Sequence, residues 1–163
     1  MIEFSKIREV NSPKRNAGQD AGIDVYVPER ADEFVNDLVD KNIGLKVNDT
    51  GFYIRPHESV LIPAGIVSKF DNNLALVAMN KSGICTNTQL ICGACVIDSS
   101  YQGEWHIHVI NTSNTSVFVE FGTKLVQFVP LVISTDELVV KDTLEYDSVS
   151  ERGANGFGST GIK

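Results

Sequence analysis

Trp105-His106-Ile107-His108-Val109-Ile110-Asn111 decides the fold of this chain, because its side chains alternate in kind. Successive residues of a strand point to opposite faces, so Trp105, Ile107 and Val109 share one face and His106, His108 and Ile110 the other. Residues 117–121 repeat the pattern, with Val117, Val119 and Phe121 on one side. Residues 59–67 form an apolar run broken by a Pro-Ala-Gly turn, and residues 74–79 form another short apolar run. Residues 125–133 are apolar on both faces apart from Gln127, which predicts a strand buried on both sides. Short strands between closely spaced turn residues predict an all-β, jelly-roll-like β-sandwich.

One segment breaks the period of two. Within residues 29–41, Phe34, Val35, Leu38 and Val39 fall on one helical face, acidic residues crowd the start, and Lys41 closes the end before Gly44. This predicts one short amphipathic helix inserted among strands. The C-terminal end differs again: from Ser148 onward Gly153, Gly156, Gly158 and Gly161 recur, and such a stretch adds little to a core. The expected organisation is a β domain over 1–133, with an insertion at 29–50, and a C-terminal arm over 134–163.

The length of 163 residues and 42% hydrophobic content suit one globular domain. There is no apolar run of the roughly 18 residues a membrane span needs. Met1-Ile2-Glu3-Phe4-Ser5-Lys6 does not read as a secretory signal, so a cytoplasmic location is expected. A formal net charge of −7 argues against a nucleic-acid polymer as partner, but not against a small anion held by local cations and backbone. Cys92 and Cys95 form a C-x-x-C near Cys85. Half a zinc site or a redox pair is one reading; reduced, partly buried thiols is the other.

The tail residues have phosphate-binding chemistry. Glycine backbone can present several N–H groups, Arg152 can chelate phosphate with two N–H donors, Ser159 and Thr160 add hydroxyls, and Phe157 can stack on a base. It is not a Walker loop, since no Gly-Lys-Ser/Thr follows, and a disordered tail is the alternative. In Val96-Ile97-Asp98-Ser99-Ser100-Tyr101-Gln102-Gly103-Glu104, an apolar pair leads to an aspartate, a turn and an aromatic. The spacing predicts a β-hairpin with Asp98 and Tyr101 near its bend; alone, Asp98 reads equally as a turn residue.

Order and spacing together carry more. Ala21-Gly22-Ile23-Asp24, Asn80-Lys81-Ser82-Gly83, the stretch from Val96 to Gly103, Gly122-Thr123-Lys124-Leu125-Val126-Gln127, and the stretch from Arg152 to Gly161 resemble, in order, the motifs of the trimeric dUTPase family. The resemblance spans nearly the whole chain. It implies hydrolysis of dUTP to dUMP and pyrophosphate, lowering dUTP and supplying dUMP for dTMP synthesis. It implies a homotrimer whose active sites take motifs from three subunits, with the C-terminal arm closing a neighbour's site.

By the same resemblance, Asp98 matches the carboxylate that activates the attacking water, Gln127 a contact to phosphate or that water, and Arg152 a clamp on the γ-phosphate. Tyr101 matches the ring packed against the deoxyribose, which leaves a 2′-hydroxyl neither room nor partner. Lys81, Ser82 and Gly83 match phosphate contacts. The backbone of Cys95, Val96, Ile97 and Asp98, and that near His106, would read the uracil edge. Phe157 would cover the base, and Gly158, Ser159 and Thr160 would donate to phosphates. Asp24 matches an acidic residue that orders the site through the arginine or a Mg²⁺-bound water. The implied cofactor is Mg²⁺, carried on the triphosphate and water with no direct protein ligand.

The chain departs from the family pattern in three places. Lys81 stands where arginine is usual and lacks its planar fork. Cys95 replaces a common glycine. Residues 29–50 are an insertion of a kind found in phage-encoded members, and a candidate surface for a regulatory protein partner. The same superfamily includes dCTP deaminases, but those need a glutamate base at the hairpin, where this chain has Asp98.

Overall fold

The computed structural model describes residues 1–94, 96–146 and 148. Among them are β1 (Ile2–Lys6), β2 (Ile23–Tyr26), α1 (Asp32–Lys41), β3 (Lys46–Val47), β4 (Gly51–Ile54), β5 (Ser59–Pro63) and β6 (Ile66–Phe70). There follow β7 (Leu74–Asn80), α2 (Ser82–Thr88), β8 (Leu90–Cys92), β9 (Val96–Asp98), β10 (His106–Asn111), β11 (Val117–Glu120) and β12 (Lys124–Val132). The expected all-β sandwich is what the chain forms.

The strands make four antiparallel sheets, ordered β2-β12-β7-β9, β5-β10-β8, β11-β4-β3 and β1-β6. The alternation at β10 works as read: Trp105, Ile107 and Val109 are at most 1% exposed, while His106, His108 and Ile110 are half-buried. Trp105 packs on Phe128 with ring centroids 4.7 Å apart and edge-on to Phe4 at 5.4 Å. Its indole N–H, unable to stay unpaired in a core, donates to Ser68 Oγ at 3.1 Å. The turn expected after Pro63 forms at Gly65, whose φ of +69° suits glycine.

The expected short helix is present as α1. It buries Phe34 and Leu38, and Phe34 meets Phe121 edge-on at 5.9 Å. Val39 does not join them; it is exposed, because the apolar stripe is narrower than four residues. Asn42, just past the helix, clamps β5: its side chain donates to Leu61 O at 2.8 Å and accepts from Leu61 N at 2.8 Å. This satisfies an edge-strand backbone that would otherwise be open.

Three expectations are corrected. Residues 125–133 are not buried throughout: Leu125, Val126 and Phe128 are, but Leu131 and Val132 are exposed in the single chain. Pairing with β2 ends at Phe128↔Ile23, so Pro130 needs no N–H on that side. The segment containing Asp98 and Tyr101 is not a closed hairpin, because β9 pairs with β7 and β10 with β5 and β8. It is a crossing between two sheets, with a turn closed by Tyr101 N–H to Asp98 O at 3.1 Å. A second helix, α2, occupies the Ser82-Gly83 segment, too short and too polar to show an apolar period. Residues 134–146 carry neither helix nor strand. No helix among the described residues is long and apolar enough to cross a membrane.

Candidate active site

Two clefts gather the sequence candidates. The first, of about 240 Å³, is lined by Val96, Ile97, Asp98, Tyr101 and His106, with Leu61, Ala94, His108 and Phe128. It lies where the β9–β10 crossing leaves one sheet and joins the other. The Tyr101 ring is held at its hydroxyl end. Its hydroxyl donates to Glu104 O at 2.9 Å, and a Cβ on Gly103 would stand 2.5 Å from that hydroxyl oxygen. Only glycine lets the ring lie there. Ala94 N–H donates to His108 Nδ1 at 2.8 Å, and a Cβ on Gly93 would strike the His108 ring. Thus His108 props the loop leading into β9.

His106 sits beside the carbonyl that holds Tyr101, its Nδ1 3.0 Å from Glu104 O. A carbonyl only accepts, so Nδ1 carries the proton. Burial, then the charge of Lys41, push the His106 pKa below the ordinary imidazole value, partly offset by Glu104. The ring is therefore neutral at pH 7, and its buried Nε2 accepts no hydrogen bond among the described residues.

Glu104 is fixed in turn. Oε1 accepts from Arg8 Nε at 2.7 Å and from Gly65 N–H at 2.8 Å, and Oε2 accepts from an Arg8 Nη at 2.9 Å. Burial alone would raise the Glu104 pKa, but Arg8 and the Gly65 N–H outweigh it and hold the carboxyl below its usual range. The Arg8 guanidinium is correspondingly stabilised in its charged form, chiefly by Glu104.

The second cleft is polar and basic. Asn16, Asp20, Ala21, Gly22, Asp24, Lys81, Lys124 and Gln127 line it, and Lys81, Ser82, Gly83, Thr123, Lys124 and Gln127 line an adjoining hollow. The strand register builds it: Gln127 on β12 lies across from Asp24 on β2 and from Met79 on β7. Asp24 is only 4% exposed. Its Oδ1 accepts from Lys81 Nζ, and its Oδ2 lies 3.4 Å from Lys124 Nζ. Gln127 donates to Asn80 O at 2.9 Å. A Cβ on Gly22 would overlap the Gln127 amide oxygen, so the glycine is needed for that rotamer.

The clefts do not merge within one chain. Asp98 pairs with Ala75 near the start of β7, whereas Lys81 follows Asn80 at its end. Lys81 is six residues along the chain from Ala75, a separation of about 20 Å. Sequence reasoning missed Lys124 as a functional candidate, although it stands within a quoted motif, and missed Glu104 and Arg8, which lie 96 residues apart. Cys95, Arg152, Phe157, Gly158, Ser159 and Thr160 lie outside the described residues.

The dUTPase family model matches residues 44–161. A deoxyuridine 5′-triphosphate nucleotidohydrolase of Shewanella piezotolerans is 38% identical over 122 residues, covering 72% of this chain and 77% of its own. The chain belongs to the dUTPase family. The fold also superposes on the dUTPase of Staphylococcus bacteriophage 80alpha with dUPNHPP, with a TM-score of 0.77 and 22% identity over 99% of both chains. A dUTPase variant from phage phi11 of S. aureus, described with a structural Mg(II) ion, matches with a TM-score of 0.70 and 18% identity over 90% of this chain and 99% of its own. The match to the family model begins at residue 44, after α1 of this dUTPase.

Proposed function

We propose that this dUTPase hydrolyses dUTP to dUMP and pyrophosphate at sites completed by a second and third copy of the chain. The observation that carries the reading is the division of labour between the clefts. One holds an aspartate beside a pinned tyrosine and suits a deoxynucleoside; the other is lined by Lys81, Lys124 and Gln127 and suits phosphates. A separation of about 20 Å along β7 is more than one nucleotide spans between its sugar and its γ-phosphate. A trimer, with the basic cleft of one subunit facing the Asp98 cleft of another, resolves this. The exposed Leu138, Val139 and Val140 of the arm supply apolar surface for a neighbour to cover.

In the assembled site Asp98 accepts a proton from the attacking water as its oxygen bonds to the α-phosphorus. The bond from that phosphorus to the bridging oxygen of the β-phosphate breaks, and pyrophosphate leaves with the electron pair. A carboxylate is a weak base for water, so Asp98 acts chiefly by holding the water in line. Tyr101 lies against the deoxyribose and excludes a 2′-hydroxyl. The backbone of Cys95, Val96 and Ile97, with that at His106, reads the uracil edge. Lys81, Lys124, Ser82, Gly83 and Gln127 hold the phosphates, while Arg152, Phe157, Gly158, Ser159 and Thr160 of an arm close the site.

Mg²⁺ fits the donor set, since the buried Asp24 Oδ2, beside the phosphate cleft and accepting no hydrogen bond among the described residues, can receive one from a metal-bound water. When bound, the ion neutralises phosphate charge and orients the chain for displacement. The outward side of α1, where Glu33 and Asp40 are exposed, stays available to a regulatory protein partner. The cytoplasm is the setting that suits the reaction.

The test is pyrophosphate release from dUTP, UTP, dTTP and dCTP with Mg²⁺, for the wild type and Asp98→Asn. Fast release from dUTP alone, lost in the variant, is the expected result. No release, or ammonia from dCTP, would overturn the reading.

A further inference from the structure

We propose that Asp37, Arg8 and Glu104 form a positioning relay through which the inserted helix α1 sets the sugar selectivity of the Asp98 cleft. The proposal rests on the reading of Tyr101 as the group that meets the sugar. Tyr101 Oη and His106 Nδ1 both donate to one backbone oxygen, that of Glu104, at 2.9 and 3.0 Å. Where that carbonyl sits therefore decides where both rings sit.

The carbonyl lies in an irregular crossing between sheets, so no ladder holds it. Its own side chain does. The Glu104 carboxylate receives two N–H donors from Arg8 and one from Gly65. A guanidinium bound through two nitrogens fixes direction as well as distance. Both side chains are 15% exposed, which spares the pair most of the solvent screening that weakens surface ion pairs.

Arg8 has a second commitment. The same Nη that reaches Glu104 Oε2 donates to Asp37 Oδ2 at 2.5 Å. Asp37 stands on α1, one residue before the buried Leu38. The relay thus runs from the insertion, through the segment after β1, to the crossing that bears Tyr101. Gly103 lies against the same hydroxyl end: a Cβ there would stand 2.7 Å from Tyr101 Cζ. With the Gly103 backbone beside it and one hydrogen bond at its tip, the ring follows the Glu104 carbonyl.

The experiment compares kcat/KM for dUTP and UTP in the wild type, Asp37→Asn, Tyr101→Phe and the double variant, with Tm for each. Asp37 is partly exposed, so Asp37→Asn leaves the fold intact. It is expected to lower the dUTP/UTP ratio about three- to tenfold, the effect of one lost positioning hydrogen bond. Tyr101→Phe lowers the ratio at least as much, and the double variant goes no lower than Tyr101→Phe, because both act through the same bond. Arg8→Lys, which keeps charge without the fork, is expected to match Asp37→Asn, and Asp37→Glu to recover part of the ratio. A lowered Tm with an unchanged ratio, or full additivity in the double variant, would overturn the relay while leaving the hydrolase reading in place. A wild type that does not separate dUTP from UTP would overturn both.

Discussion

At Gly22 a single methyl group has consequences for the phosphate cleft. Its Cβ would overlap the Gln127 amide, which must then leave the Asn80 carbonyl it now donates to. Gly22→Ala is expected to lower kcat/KM for dUTP about a hundredfold, the usual cost of misplacing a positioning group by about 1 Å. Tm should change little, because Gln127 sits at the rim of the cleft and not in the core. Steady-state kinetics beside a thermal melt checks this; a large loss of Tm would make Gly22 a folding residue. His106 gives a pH prediction. Burial and Lys41 depress its folded pKa, whereas in the unfolded chain it takes up a proton near about 6.5. Below that pH the unfolded chain binds more protons, so stability falls as pH drops through the window between the two values. Glu104 adds no slope there: its pKa is also depressed, so its stabilisation is lost only at pH below the ordinary carboxylate range. Urea unfolding between pH 7.5 and 5.5 should show the decline in the wild type and a flatter profile in His106→Gln.

Among elements, α1 shows how burial converts a sequence pattern into stability. Phe34 and Leu38 are 1% and 0% exposed, so Leu38→Ala is expected to cost about 2–5 kcal/mol in transfer and cavity energy, read as a lower unfolding midpoint. Val39→Ala, on the exposed side, should change little. Periodicity made α1 legible, as it did β10, since both bury one face against a continuous core. The crossing between β9 and β10 was not legible, because a closed hairpin and a change of sheet use the same local signals: strand, turn, strand. What separates them is pairing with β7 and β5, far away in sequence. Helix α2 escaped for another reason: it buries no residue and so leaves no apolar period to read. At the candidate site, Asp98, Tyr101, Lys81 and Gln127 were legible from the quoted motifs and Lys124 within one of them was not; Arg8 and Asp37 were not legible because their roles come from contacts across 96 and 29 residues.

At the scale of the whole molecule, β7 is a spacer that keeps Asp98 and Lys81 apart, and this makes the assembly testable by mixing. On the proposed reading Asp98→Asn disables one cleft and Lys81→Ala weakens the other, so each variant alone should be nearly inactive. Suppose one site takes its aspartate from one subunit and its lysine from another. When the two variants are unfolded together and reassembled at equal amounts, each position is intact in about half of the chains. About a quarter of the sites then regain both groups, for neighbours drawn at random in a cyclic trimer. If each site instead drew both residues from one chain, every chain would carry one defect and mixing would restore nothing. Recovery of about a quarter of wild-type turnover, absent when the variants are mixed without unfolding, would establish shared sites. No recovery, with trimers present by light scattering, would mean that a single chain must bring its two clefts together, by a motion that breaks the β7–β9 pairing.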